Sequence, residues 1–305
     1  MIATVGGVIS AKLLSNLYLG EEIVLKSLDE QDDVGIVNIL LLGVDEGGMR
    51  SDTIMVASLN GRTGSLNVLS IPRDTRVLIG NYYQKINAAI GIGVQEAKKG
   101  RIDEPEELTV QKVKLLTGLP IHYFMSVNFD GFKEIIDALD GVEFNVPFRM
   151  KYDDPVQNLH IDLQPGLQIL DGKKAHDFVR FRKGNPGYPG YAMGDIGRVE
   201  AQQAFIKALI SQKVNAKYLL RANDLFEVVC KNVRTNYTAK DLVKHLGAIR
   251  KIDSDIMNMY QLPGVPDTIG GVSYYLCDDR ATAELVETVF SPSKDMSEGK
   301  NVTEE

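Results

Sequence analysis

The sequence predicts one α/β domain built on a mixed sheet, and three observations carry the prediction. Ile36–Val44 (IVNILLLGV) is a near-continuous apolar run of strand length, the pattern of a strand buried on both faces. Residues 53–59 and 66–71 read as two more strands, joined by Asn60-Gly61-Arg62-Thr63-Gly64, a linker that suits an antiparallel hairpin. Helical periodicity then alternates with short strands through the rest of the chain, with no internal repeat. The chain has 305 residues, 44% of them hydrophobic and 25% charged, proportions that bury a core. Its net charge of -7 is opposite to that of a protein that coats duplex nucleic acid.

Between the first two strands, residues 45–52 (DEGGMRSD) form a glycine-rich charged loop. Pro72 stops the third strand, and Arg73-Asp74-Thr75-Arg76 follows at once. Residues 86–99 look helical but are interrupted by Gly91 and Gly93, whereas 105–116 have a clear helical period with an acidic start, which the helix dipole favours. Residues 121–127 read as a strand. Asn128 or Asp130 then caps a helix through Leu139 that ends at Gly141, before a strand at 142–146. Residues 152–165 read as a loop. Asp171 caps a helix over 172–181, and the glycine- and proline-rich loop 183–194 is long enough to suggest a functional segment. Helices are predicted over 196–214, 222–230, 239–251 and 280–290, with strands over 256–262 and 272–277. The division is a 1–34 stalk, a domain over 35–292 and a polar, disordered tail over 293–305.

Residues 1–11 carry no charged side chain and suit either an ordinary first helix or the trimmed outer end of a membrane anchor. No stretch of about 20 apolar residues, the length that spans a bilayer, is present. Cys230 and Cys277 are too few for a disulfide scaffold or a four-cysteine zinc site; they are expected to be buried free thiols. The chain lacks a P-loop, a G-x-S-x-G elbow and a C-x-x-C pair, and Gly91-Ile92-Gly93 fails the dinucleotide fingerprint at Glu96. The four histidines, at 122, 160, 176 and 245, have no metal-ligand spacing.

Arginines and acids instead gather at the predicted ends of strands and helices. Asp45 closes the first strand, Asp52 opens the next, and Arg73 and Arg76 lie just past the third. Arg180 and Arg182 end one helix, and Arg198 and Gln202 share a face of the next at i, i+4 spacing. Arginine forks match phosphate oxygens, and two carboxylates beside them suit Mg²⁺, which takes one or two protein carboxylates plus phosphate oxygens. The same spacing also suits a solvated salt-bridge cluster. The i, i+2 pair Arg180 and Arg182 can reach one site only if the helix ends near Val179 or Arg180 and Phe181 turns inward.

The succession NILLLGVD, RSDTIMVASLN, LNVLSIPRDTRV, KINAAI, VNFDGFKEIIDALDGVEFNVP, GLQILDGKKAHDFVRFR and GDIGRVEAQQAFIKAL resembles the LytR-CpsA-Psr family, in order from Asn38 to about Ile210. The resemblance implies a three-layer α/β/α sandwich around a mixed, largely antiparallel sheet, with an apolar tunnel for a lipid. It implies a phosphotransferase on the extracytoplasmic face of the bacterial membrane, held there by an upstream anchor. Such an enzyme moves a glycopolymer from a polyprenyl-pyrophosphate carrier to peptidoglycan, at a muramic acid hydroxyl, through a phosphodiester. By motif, Asp45 and Asp52 would hold Mg²⁺. Arg73, Arg76, Arg180, Arg182 and Arg198 would bind pyrophosphate with Gln202 beside them, and Lys85 and Asn87 would lie near. Asp74, Asp45 or Asp52 would take the acceptor proton. Candidate tunnel walls are Phe129, Phe132, Ile135, Ile136 and Leu139 on one helix, and Phe205, Ile206, Leu209 and Ile210 on another. Ala201 departs from the pattern, since the family often has Arg directly before the Gln pair. Two other functions remain open at this level: a pyrophosphatase using water as acceptor, and a transcriptional attenuator or regulatory binding protein.

Overall fold

In the computed structural model, residues 35–156, 159–192, 194–213, 222–252 and 257–290 are described. The stalk, the polar tail and the predicted ends at 214 and 256 lie outside them. The strands begin with β1 (Ile36–Val44), β2 (Ser51–Asn60), β3 (Leu66–Ser70), β4 (Arg76–Ile79) and β5 (Tyr82–Lys85). A 3-10 turn (Ile86–Ala88) leads into α1 (Ala89–Lys98), followed by α2 (Glu106–Thr117), β6 (Tyr123–Asn128) and α3 (Phe129–Ala138). Next come β7 (Val142–Val146), β8 (Met150–Asp154), β9 (Leu159–Leu163), β10 (Gly166–Leu170), α4 (Gly172–Arg180) and α5 (Asp195–Lys213). The last elements are α6 (Ala222–Asn232), β11 (Val233–Thr235), α7 (Ala239–Arg250), β12 (Met257–Gln261), β13 (Gly264–Ile269), β14 (Val272–Cys277) and α8 (Asp279–Leu285), which runs into a π turn (Val286–Phe290).

Six strands form the central sheet in the order β11-β6-β1-β2-β3-β12. β1–β2, β2–β3 and β11–β6 are antiparallel; β1–β6 and β12–β3 are parallel. Side chains leave a strand alternately to its two faces. Leu40, Leu42, Ile54, Val56 and Leu69 therefore meet α1, α2 and the π turn through Ile90, Val113 and Phe290. Leu41, Met55, Leu59 and Val68 meet Ile206 and Ile210 of α5 and Ala248 and Ile249 of α7 on the other side. This double cover is why β1 is apolar at nearly every position, and it makes the three-layer sandwich. A separate core lies between α3, α4 and α5, where the Phe178, Phe144 and Phe205 rings pack together with Ile136.

The structure corrects the sequence reading in three places. Residues 152–165 are not a loop: β8 and β9 pair as an antiparallel hairpin from Met150↔Leu163 to Asp154↔Leu159. Leu159, Ile161 and Leu163 are buried at alternate positions, a signal masked by the Asp153-Asp154-Pro155 turn chemistry beside it. The strands β4, β5, β10, β11 and β13 are also absent from the sequence reading, whereas β14 matches the strand expected over 272–277. Finally, the cysteines are free but not both buried, Cys230 being exposed and Cys277 half-buried. α6 lies against α3 where Gly131 admits Asn232, whose Cβ would sit 2.9 Å from a side chain at that glycine. Cys230, two residues earlier, is turned roughly 200° away.

The cap of α3 is Asn128, whose side chain accepts from the Gly131 N–H; Asp130 pairs with Lys133 instead. Gly91 and Gly93 also find their reason. A Cβ at Gly91 would lie 2.5 Å from the Met49 carbonyl oxygen, and one at Gly93 2.0 Å from that of Pro105. The glycines cost helix propensity but let the 45–52 loop and the start of α2 dock on α1.

Candidate functional site

The site lies at the end of the sheet where β1, β3 and β6 finish and β2 begins. The β1–β2 ladder has a bulge there: Gly43 pairs with Thr53 and Val44 with Ser51, so Asp52 has no residue opposite. A bulge re-aims a side chain out of the strand's alternation, and here it turns Asp52 into a cavity. Asp45 folds the neighbouring loop: its Oδ1 accepts from Met49 N at 2.7 Å and Arg50 N at 3.2 Å. One oxygen of Asp45 is thus committed to the backbone.

Arg73 Nη1 donates to Asp52 Oδ1 at 2.8 Å. Behind it, Asp74 pairs with Lys85 Nζ at 2.8 Å. The 3-10 turn braces this loop, with Ile86 N donating to Thr75 O and Asn87 N to Arg73 O. α4 ends at Arg180, and Phe181 is extended at φ -61°, ψ 127°. Phe181 is fully buried in the core between α3, α4 and α5, which leaves Arg180 and Arg182 on the opposite side. Gln202 Nε2 donates to Val179 O at 2.7 Å, tying α5 to the last turn of α4.

These elements enclose a cavity of about 360 Å³. Asp52, Arg73, Arg180, Arg182, Arg198 and Gln202 all line it, so residues from four separate segments of chain share one space. Thr53, Phe129, Tyr152, Leu159, Val179 and Lys183 complete the wall. Arg180 lies over the Phe129 ring, 5.0 Å from its centroid. Tyr152 donates to Asp154 Oδ2 at 3.2 Å; burial, helped by that carboxylate, raises its pKa above the ordinary tyrosine value. Its hydroxyl therefore stays protonated at neutral pH. Tyr152 went unnoticed in the sequence because its segment read as loop, and Lys183 because it opened one. Behind Arg198, burial pushes the Tyr191 phenol up to about 12, with the Arg198 charge opposing.

Five of the anticipated residues do not line the cavity: Asp45, Asp74, Arg76, Lys85 and Asn87. Arg76 points elsewhere, its guanidinium 3.6 Å from the Tyr83 centroid and 5.8 Å from that of Tyr274. The reason is that Arg76 opens β4 and follows that hairpin's outer face, whereas Arg73 remains in the loop. Asn87 is buried beneath the Arg73 loop. Ala201 packs against the α3–α4–α5 core rather than the cavity. Ile136 and Phe205, expected beside a tunnel, are fully buried core residues, and Phe129 alone of that set lines this cavity.

Among the described residues, no three His, Cys, Asp or Glu side chains cluster as a metal site. A cation needing an all-protein cage does not fit. Mg²⁺ would need only one or two carboxylates, with water and phosphate oxygens completing its shell. Asp45 and Asp52 would be its hard ligands, each with one oxygen already engaged.

Comparison with known proteins agrees with this architecture. The chain is 34% identical over 247 residues to the polyisoprenyl-teichoic acid–peptidoglycan teichoic acid transferase TagU of Oceanobacillus iheyensis, covering 80% of this chain and 72% of the relative. It is 28% identical to TagU of Bacillus subtilis, with 81% and 75% covered. The crystal structure of B. subtilis TagV superposes with a TM-score of 0.65 at 27% identity, covering 83% of this chain and 94% of TagV. TagT bound to LI-WTA superposes at 0.60 and 26%, covering 84% and 90%. The sequence model of the LytR_cpsA_psr family matches residues 15–291, and with nearly the whole domain accounted for, the chain belongs to that family.

Proposed function

We propose that this chain is a phosphotransferase that takes a glycopolymer from a polyprenyl-pyrophosphate carrier and attaches it to a peptidoglycan hydroxyl through a phosphodiester. The observation that carries the reading is the convergence of Arg73, Arg180, Arg182 and Arg198 with Asp52 on one cavity. Arginines from three separate segments present several guanidinium forks to one space, and a diphosphate can occupy those forks together. The names of the TagU relatives support the substrate class.

In this reading the guanidiniums hold the diphosphate oxygens in fixed positions, so charge developing in the transition state meets donors already in place. The acceptor oxygen attacks the phosphorus next to the sugar, the bond to the bridging oxygen breaks, and polyprenyl phosphate leaves. Asp52, the one acid among the described residues that lines the cavity, holds Arg73 toward the diphosphate, and the proton of the acceptor hydroxyl passes to the departing phosphate. Asp74, paired with Lys85 behind Arg73, positions that arginine rather than touching substrate. Mg²⁺ at Asp45 and Asp52 would neutralise phosphate charge. Lining the cavity, Phe129, Leu159 and Val179 offer the first prenyl units an apolar surface from which a tunnel would continue. The activity belongs at the extracytoplasmic membrane face, where carrier and peptidoglycan meet.

The test is incubation with a short-chain prenyl-pyrophosphate glycopolymer and a peptidoglycan oligomer, with products read by mass spectrometry. A covalent glycan adduct with release of prenyl phosphate is expected. Glycopolymer phosphate released at the same rate with or without the oligomer would replace transfer by hydrolysis. No turnover, with a salt-dependent shift of duplex DNA, would favour the regulatory reading.

A further inference from the structure

The β4–β5 and β13–β14 hairpins lie side by side, joined by a parallel bridge between Thr75 and Tyr275 and by Tyr275 N donating to Asp74 O at 2.9 Å. Register sorts their side chains. Arg76 and Leu78 stand opposite Lys85 and Tyr83, while Val77 and Ile79 turn inward and are buried. Val272 and Tyr274 stand opposite Ile269 and Asp267. Arg76 reaches both Tyr83 and Tyr274, so the outer faces of the two hairpins form one surface. That surface is apolar where solvent should select polarity: Leu78 is 48% exposed, Tyr83 54%, Val265 61% and Val272 43%.

An exposed apolar patch of this kind marks a protein or membrane contact. We infer that this two-hairpin face docks on an anionic lipid surface; the inference rests on the proposed lipid-linked donor and extends it. Two features choose the occupant. Arg76 is held in the middle of the face with no ion pair among the described residues, and its buried Nε has no acceptor. A lipid phosphate supplies the missing anion while the aliphatic side chains and Tyr83 enter the headgroup boundary. Asp267 is the acid on this face, and Asp74 is already paired with Lys85. A second copy of the chain would instead bring one unpaired Arg76 toward another. The face is also continuous with the Arg73–Arg76 loop, so docking would bring the cavity to the leaflet that holds the carrier.

The test places an environment-sensitive fluorophore on Leu78→Cys, on Val272→Cys and, as a control on α2, on Leu115→Cys, each in a Cys230→Ser/Cys277→Ala background. Leu115 is 74% exposed and belongs to neither hairpin. With vesicles of phosphatidylglycerol and phosphatidylcholine, a blue shift and several-fold intensity rise are expected at positions 78 and 272 but not at 115. Both should weaken when Arg76→Ala is added. No shift at 78 and 272, or equal shifts at all three positions, would overturn the proposal. A shift without vesicles that grows with protein concentration would assign the face to a second copy, and one produced by glycan fragments alone to a sugar; either overturns it. The vesicle readout needs no turnover. A probe that shifts in a chain without transferase activity would defeat the functional reading and leave the lipid face standing.

Discussion

Replacing Phe181 and its two neighbours separates packing from chemistry within three consecutive residues. Phe181 is fully buried among Phe178, Phe148 and Tyr191, so Phe181→Ala removes a whole aromatic side chain from a close-packed core. Such truncations cost about 3–5 kcal/mol. Arg180 stacks on Phe129 at 5.0 Å, a contact that contributes about 0.5–1 kcal/mol, and Arg182 is exposed. Arg180→Ala and Arg182→Ala should each therefore lose no more than about 1 kcal/mol. Their effect on transfer should be far larger, about 10²–10³ in rate for one preorganised donor to a developing anion. The assay pairs urea denaturation with the rate of glycan transfer to a peptidoglycan oligomer. Phe181→Ala should fail first in denaturant; the arginine variants should stay within about 1 kcal/mol of wild type and lose turnover. Wild-type transfer in either arginine variant, or wild-type stability in Phe181→Ala, would refute the reasoning.

Three further outcomes follow from the same geometry. Asp52→Asn breaks the 2.8 Å pair with Arg73 and weakens the proposed Mg²⁺ site, so transfer should need more Mg²⁺ and still fall about 10²-fold or more; an unchanged Mg²⁺ titration would remove Asp52 from the metal. Cys230 should react with a thiol reagent in the native protein well before Cys277, which is half-buried and lies 3.2 Å from Thr282 Oγ1; equal rates, followed by mass, would contradict this. Burial lowers the pKa of His245, so it folds neutral and the unfolded chain takes up the proton first. Its contribution to stability is present above the unfolded pKa of about 6.5 and is lost as pH falls below it, by at most ~1.4 kcal/mol per pH unit. His245→Gln should flatten that loss in denaturation curves taken between pH 7.5 and 5.5.

Much of the central sheet was legible in the sequence, because both faces of β1, β2 and β3 are covered and apolarity therefore repeats at almost every position. The arginine pair at 180 and 182 was legible for a related reason. A buried Phe between two charged residues obliges the chain to leave the helix, and Phe181 is extended. The β8–β9 hairpin was not legible, since the alternation Leu159, Ile161, Leu163 sits beside residues that favour turns. Tyr152 was lost from the site with it.

The sequence by itself determined the layered α/β class, the family, and which cationic side chains were available to an anion, because periodicity and motif order are written along the chain. Only the tertiary structure decided which of those cations share a space. Arg73 and Arg76 are three residues apart, yet one pairs with Asp52 in the cavity and the other stacks between Tyr83 and Tyr274 on an outer face. Asp45 and Asp52 both flank one loop, yet the bulge at Gly43 and Val44 turns only Asp52 into the cavity. The difference lies in where a loop becomes a strand and where a ladder slips by one residue. Those points are set by pairing partners far away in the chain, which local pattern does not encode.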